Sequence, residues 1–167
     1  QNKDALAKYG DNNNWEYDVI EAGYKMNMPD ILAAIGLVEI KRYEKDTLVK
    51  RKRIFEAYAT AFAKKDWAEL PVYQTDEKCT SWHLYLLRIR NVTLAMRNEI
   101  INLILSKKVS VNVHYKPLPL LTFYKDLGYV AEDYPVSLDC FHRVITLPVF
   151  YDLTDEQINR IVETIVE

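Results

Sequence analysis

The chain is organised around one stretch, Gly23-Tyr24-Lys25-Met26-Asn27-Met28-Pro29-Asp30-Ile31-Leu32-Ala33-Ala34-Ile35-Gly36. In this stretch a polar turn runs directly into an apolar helix. Pro29 suits the first helical position, where its missing N–H would have had no partner within the helix. Asp30 follows at the positive end of the helix dipole. The helix start therefore offers free backbone donors beside Lys25 and Asn27, which is chemistry suited to an anion such as phosphate.

Length and composition describe an ordinary globular domain. The 167 residues are 49% hydrophobic and 28% charged, which allows one domain with its own core. The net charge of −2 combines many charges of both signs, so we expect no nucleic-acid partner and no membrane partner. No apolar run approaches the roughly 20 residues of a transmembrane helix. Cys79 and Cys140 are too few for a metal site or a disulfide framework, which indicates a reduced, cytoplasmic setting.

Periodicity predicts alternating helices and strands. Helices are predicted at residues 29–44 and 46–64, behind Thr93 as a cap, from residue 121 to Gly128, from Pro135 to Arg143, and behind the capping box that begins at Thr154. The apolar residues of the helix behind Thr93 are Met96, Ile100, Leu103 and Ile104, and those of the helix behind the capping box are Ile158, Ile161, Val162 and Ile165. Strands are predicted at residues 81–90, 109–114 and 144–149. This order predicts an α+β fold, a small antiparallel or mixed sheet with helices packed on it.

The helix predicted at residues 29–44 is apolar around most of its circumference. We therefore expect it to be buried on most sides or to pack against a partner chain. Gly36 lies inside it, and close helix packing is the expected reason for a glycine there. Exposed apolar surface would make the chain prone to associate.

Several segments fall in the order and spacing of a known family. They are the motif at 23–36 and the segments Trp82-His83-Leu84-Tyr85, Val113-His114-Tyr115-Lys116-Pro117-Leu118 and Leu147-Pro148-Val149. The chain resembles the DegT/DnrJ/StrS family of sugar aminotransferases, pyridoxal-phosphate enzymes of the aspartate-aminotransferase fold type. The resemblance covers nearly the whole chain but only the C-terminal part of the family's enzymes. It implies that residues 1–28 are a lead-in from a large domain and that residues 29–167 are the C-terminal small domain.

No complete catalytic constellation emerges from the residues themselves. The resemblance implies that Asn27 reaches the phosphate of pyridoxal 5′-phosphate in a neighbouring subunit; the alternative is that Asn27 only closes the turn. Lys25 is expected to neutralise phosphate charge, with a solvated lysine as the alternative. Met26 departs from the tyrosine that is commoner in the family.

His114 and Tyr115 are the candidate substrate residues. A histidine on the polar face of a strand that leads into a proline-rich loop is well placed to line a cleft. The resemblance implies that this His-Tyr segment holds the sugar nucleotide; the alternative is a histidine bonded to nearby backbone. His83, between large apolar neighbours, is interpreted as a core residue. Lys107-Lys108-Val109 stands where relatives often have a glycine.

The resemblance implies a homodimeric aminotransferase that moves an amino group, usually from glutamate, onto a nucleotide-linked keto-sugar for surface polysaccharides or related sugars. The family's cofactor lysine belongs to an N-terminal domain, so the chain is interpreted as an inactive fragment of the parent enzyme. The alternative is an interaction or dimerisation module that kept the fold without catalysis.

Overall fold

A computed structural model describes residues 18–24 and 28–167. These residues form two compact units. The sheet unit comprises the described residues of 18–22, 65–71 and 86–147, and the long-helix unit comprises 23–24, 28–64, 72–85 and 148–167. None of the helices in these described ranges has both the length and the apolar character needed to cross a membrane.

The long-helix unit is built on one helical segment with a change of hydrogen-bond pattern in its middle. Helix α1 (Asp30–Arg42) passes into a π-helical turn (Tyr43–Thr47) and then into α2 (Leu48–Phe62). The Leu48 N–H donates to the carbonyl of Tyr43, the five-residue spacing of a π-helix. Helix α6 (Asp155–Val166) packs against α2.

Aromatic side chains fill the core of this unit. Phe55 packs edge-on against Trp82 and Tyr85, with ring centroids 5.3 and 5.0 Å away. Tyr58 contacts Tyr85 at 5.1 Å. From α6, Ile158 is buried, as the sequence predicts.

The sheet unit carries a three-stranded sheet in the order β1-β2-β3. The strands are β1 (Ala68–Glu69), β2 (Tyr85–Ile89, whose first residue belongs to the long-helix unit) and β3 (Val144–Leu147). Strands β1 and β2 are antiparallel. Around them lie α3 (Leu94–Ser106), α4 (Thr122–Asp126) and α5 (Pro135–Arg143), with 3₁₀ turns at Leu118–Leu120 and Ala131–Asp133. The predicted α+β class is confirmed.

Three local predictions of helix boundaries are confirmed. The Thr93 hydroxyl accepts the Met96 N–H at the start of α3. Thr154 and Gln157 form both hydrogen bonds of a capping box. Helix α5 spans the predicted Pro135–Arg143.

The segment at 109–114 is only partly the predicted strand. Its alternation is confirmed, because Val109, Val111 and Val113 are buried. Only Asn112 pairs, in an isolated antiparallel bridge to Thr146. The strand predicted from residue 81 begins at Tyr85 instead, because Trp82 has a positive φ of 54°.

Of the two alternatives for α1, burial on most sides is not found within the described residues, and packing against a partner chain stays a prediction. None of its residues is buried, and Ile31, Leu32, Ile35, Leu37, Val38 and Ile40 are all exposed. Close helix packing does not account for Gly36 among the described residues, since a Cβ there would meet only the Met28 Sδ, at 3.9 Å.

The buried face of α3 also differs from the predicted one. Ile104 is buried as predicted, but Met96 and Leu103 are exposed, and Arg97 and Ile101 are buried instead. The Arg97 guanidinium lies 5.0 Å from the ring centroid of Phe141, a cation–π contact. Hydrophobic periodicity missed this face because a positive charge occupies part of it.

Candidate functional site

The two residues nominated for the cofactor, Lys25 and Asn27, lie outside the described residues. The helix start that follows them is described. Pro29 is the N-cap of α1 rather than its first helical residue, and no side chain caps the helix there within the described part of the chain. Asp30 occupies the first turn. The first amides of α1 thus have no side-chain acceptor from the described residues.

His114 and Tyr115 come shortly after Asn112, the residue that pairs with Thr146 of β3. Asn112 and Thr146 exchange two backbone hydrogen bonds of 3.1 and 2.7 Å, and the Asn112 Oδ1 accepts the Val113 N–H at 2.7 Å. His114 is half-buried and Tyr115 is 62% exposed. Their rings meet edge-to-face with centroids 4.7 Å apart, and the peptide bond between them is cis. The pair thus combines a half-buried imidazole with an exposed phenol.

The interpretation of His83 as a core residue is wrong. Trp82 is buried and His83 is exposed. Trp82 has a positive φ and the strand begins only at Tyr85, so apolar neighbours in sequence do not bury the imidazole of His83. Nothing in its surroundings gives His83 a functional partner among the residues that the structure describes.

A cleft of about 320 Å³ in the sheet unit was missed by sequence reasoning. It is lined by Leu118, Pro119, Tyr124, Tyr129, Tyr134 and Ser137. Its tyrosines recur every five residues around Gly128, which is neither a helical nor a strand period, so periodicity gave no signal for it. The cleft begins only three residues after Tyr115. We name it the tyrosine cleft.

Helix α4 ends in a Schellman motif that builds one wall of this cleft. The Gly128 N–H donates to the Lys125 carbonyl at 2.9 Å, and the Tyr129 N–H donates to the Tyr124 carbonyl at 3.1 Å. Gly128 has a φ of +90°, which suits glycine. The motif brings the rings of Tyr124 and Tyr129 edge-to-face, 6.1 Å apart.

The other end of α4 is fixed by a residue distant in sequence. One carboxylate oxygen of Asp18 accepts the Thr122 N–H at 2.8 Å, and the other pairs with the Thr122 hydroxyl. The Phe123 N–H donates to the Val19 carbonyl at 2.7 Å. The hydrogen bonds from Thr122 lower the pKa of Asp18 to about 2. Helix α4 is therefore fixed at both ends.

A charged network lies elsewhere in the sheet unit. One carboxylate oxygen of Glu69 pairs with Arg88 and the other with Arg143, at 2.7 Å for Arg143. Arg143 also pairs with Asp139 at 2.5 Å. Hydrogen bonds from Arg143 lower the pKa of both carboxyls, and the two carboxylates raise the pKa of Arg143. The network ties β1, β2 and α5 together, so we assign it a structural role.

Almost the whole chain matches one protein-family model. The model of the DegT/DnrJ/EryC1/StrS aminotransferase family matches residues 3–166. The chain belongs to this family.

Two curated relatives match the chain over much of its length. The spore coat polysaccharide biosynthesis protein SpsC of Bacillus subtilis is 31% identical over 166 residues, which are 98% of this chain and 42% of SpsC. A UDP-4-amino-4,6-dideoxy-N-acetyl-β-L-altrosamine transaminase of Campylobacter jejuni is 31% identical over 113 residues, 68% of this chain and 30% of that enzyme. The chain thus spans less than half the length of these relatives.

Solved structures of other proteins share the fold. The PLP form of the candidate sugar aminotransferase Spr1654 from Streptococcus pneumoniae superposes with a TM-score of 0.79 at 41% identity, over 90% of this chain and 38% of that chain. Helicobacter pylori PseC superposes with a TM-score of 0.76 at 22% identity, over 91% of this chain and 40% of that chain, which supports the fold alone.

Proposed function

We propose that this chain is the C-terminal part of a PLP-dependent aminotransferase that moves an amino group from glutamate onto a nucleotide-linked keto-sugar. The product would serve surface polysaccharide or related sugar biosynthesis. The observation that carries the proposal is the family match over residues 3–166. It is supported by relatives named for spore coat polysaccharide biosynthesis and for a UDP-amino-sugar transaminase.

The cofactor assignment rests on the chemistry of the donor set. An amide at Asn27 and an ammonium at Lys25 precede the start of α1, where the structure describes no capping side chain. Amide N–H groups, a lysine and a helix start together suit a phosphate. We assign Asn27 to binding the phosphate and Lys25 to neutralising its charge. When bound, pyridoxal 5′-phosphate supplies the electron sink of transamination.

The substrate assignment rests on His114 and Tyr115. The imidazole and the phenol lie 4.7 Å apart at their centroids, and both can donate and accept hydrogen bonds. We assign them to orienting the sugar part of the nucleotide sugar. Neither is assigned a proton-transfer role, and no catalytic residue is proposed within this chain.

The remaining proposals concern assembly. We propose that residues 1–28 are a lead-in and that residues 29–167 are a C-terminal small domain, acting in a cytoplasmic homodimer. The exposed apolar residues of α1 support the homodimer, since such a surface is normally covered by a partner in the working protein. The cofactor lysine is assigned to the large domain of the parent, so the chain by itself is expected to be inactive.

The decisive test is the visible absorption spectrum of the protein expressed from the complete gene, before and after glutamate is added. A visible cofactor band that bleaches with glutamate would support the proposal, and an Asn27→Ala variant should then bind the cofactor more weakly. A protein that stays colourless with added pyridoxal phosphate would overturn it. The exposed face of α1 would in that case favour an interaction or dimerisation module.

A further inference from the structure

We propose that the tyrosine cleft binds the base of the nucleotide, so that His114 and Tyr115 face the sugar and the cleft holds the other end of the same substrate. This inference rests on the proposed function, because it takes a nucleotide sugar as the ligand. The cleft lies wholly within the sheet unit, as do His114 and Tyr115.

The size and composition of the cleft favour a flat ring. Its volume of about 320 Å³ lies at the small end of the range for ligand pockets. Of the six described residues that line it, three are tyrosines and none is charged. Aromatic side chains bind bases by stacking, whatever the base, because every base has a π-face.

The same composition disfavours a sugar in this cleft. A hexose carries a hydroxyl on most of its carbons, and each buried hydroxyl needs a hydrogen-bond partner. Among the described lining residues, the Ser137 hydroxyl and the phenol groups are the only polar side-chain groups. A base exposes two apolar faces and needs few polar partners at its edge, so the cleft suits the base better than the sugar.

The distance along the chain suits one extended ligand. Leu118, at the near end of the cleft, is three residues from Tyr115. Three residues of chain span at most about 11 Å. A ribose and a diphosphate can bridge such a gap between a base in the cleft and a sugar at His114 and Tyr115.

The cleft wall is held in place before any ligand arrives. The Schellman motif at Gly128 fixes Tyr129 against Tyr124, and Asp18 fixes the start of the same helix through Thr122. A pre-ordered wall loses little side-chain entropy on binding. Rigid tyrosines with their rings at the surface of a small cleft are therefore suited to stacking a ligand ring.

The test is a titration of the isotopically labelled 167-residue chain with uridine, thymidine, cytidine and guanosine, followed by NMR. We expect at least one nucleoside to shift resonances of Tyr124, Tyr129 and Tyr134. N-acetylglucosamine, which has no base, should not shift them. No response to any nucleoside at millimolar concentration, or a response to the sugar alone, would overturn the inference.

Variants locate the binding. Tyr129→Leu removes a ring and should weaken nucleoside binding between about 5- and 150-fold, the range measured for one base–aromatic stack. Tyr129→Phe keeps the ring and should stay within about twofold. Tyr24→Leu is the matched control, because Tyr24 is 97% exposed and belongs to the other unit. If Tyr129→Leu loses its dispersed spectrum, Tyr134→Leu takes its place. Unchanged affinity in the ring-deleted variant would refute the assignment.

The outcome separates this inference from the proposed function. If the visible band of the parent protein bleaches with glutamate but no nucleoside binds, only the assignment of the base to the tyrosine cleft is refuted. If the parent protein stays colourless but the chain still binds nucleosides, the proposed aminotransferase function is refuted, and the nucleotide sugar is refuted as the ligand with it.

Discussion

Two buried tyrosines with opposite hydrogen-bond status give a paired prediction about stability. Tyr58 and Tyr85 are both fully buried in the long-helix unit, with ring centroids 5.1 Å apart. The Tyr58 hydroxyl donates to the Pro148 carbonyl at 2.8 Å. The Tyr85 hydroxyl has no hydrogen-bond partner among the described residues. Changing each to phenylalanine removes the same atom from the same kind of site, with opposite expected effects.

The magnitudes follow from the two environments. Tyr58→Phe loses one buried hydrogen bond, which is worth about 1 kcal/mol of unfolding free energy. The cost stays near that value because Pro148 is only half-buried and its carbonyl can bind water. Tyr85→Phe removes a buried hydroxyl that makes no hydrogen bond, so the change should range from neutral to a gain of about 1 kcal/mol. The two variants should therefore differ by about 1–2 kcal/mol.

Urea unfolding of the two variants, compared at equal m-values, measures this difference. Burial raises the pKa of both phenols above the ordinary value of 10.0. Because each phenol has a higher pKa in the folded state than in the unfolded state, its contribution to stability is complete below pH 10 and is lost as the pH rises above 10. Each variant should therefore lose less unfolding free energy above pH 10 than the unmodified chain does. The reasoning is refuted if Tyr85→Phe destabilises the protein as much as Tyr58→Phe does.

Three further predictions concern a cap, an ion pair and a surface. Thr154→Ala removes the capping box of α6 and should lower the unfolding free energy by about 1 kcal/mol in urea, whereas Thr154→Ser should retain most of it. Arg143 lowers the pKa of Glu69 below its ordinary 4.5, so the stabilisation from this ion pair is present above pH 4.5 and is lost on acidification. In thermal melts at a series of pH values, Glu69→Gln should therefore lose less stability on acidification than the unmodified chain, by no more than about 1 kcal/mol. Ile35→Glu on exposed α1 should reduce self-association measured by sedimentation velocity. An unchanged profile would show that α1 does not drive self-association.

Features that depend on neighbours in sequence could be predicted. Thr93 and Thr154 cap helices because a side-chain oxygen three residues before an amide can reach it. Pro135 opens α5 because its ring presets the helical φ. Gly128 ends α4 because the turn requires a positive φ. Each signal acts within about one turn of helix, so no knowledge of the tertiary fold is needed.

Features that depend on what lies opposite could not be predicted. The apolar sequence of α1 indicates burial, yet burial requires a partner surface that the sequence of the helix does not contain. Asn112 lies in a run that alternates as a strand does, but only tertiary placement decides that it pairs once, with Thr146.

The candidate site divides in the same way. His114 and Tyr115 are candidates because of a motif, which is local information. The tyrosine cleft was missed because its members come from a 3₁₀ turn, α4, a glycine turn and the start of α5. The capping of α4 by Asp18 joins residues 104 positions apart, which no local rule reaches.

The π-turn at Tyr43–Thr47 sets how α1 is rotated about its axis relative to α2. A regular helix turns about 100° per residue, and the five-residue hydrogen bond at Leu48 accommodates one extra residue. Deleting a single residue from this turn would therefore swing the exposed apolar row of α1 by roughly a quarter of a revolution, while the aromatic core around α2 kept its place. A one-codon change could re-aim an interaction surface without a single substitution in that surface. The direction of the apolar row of α1 is thus set separately from the core that stabilises the unit.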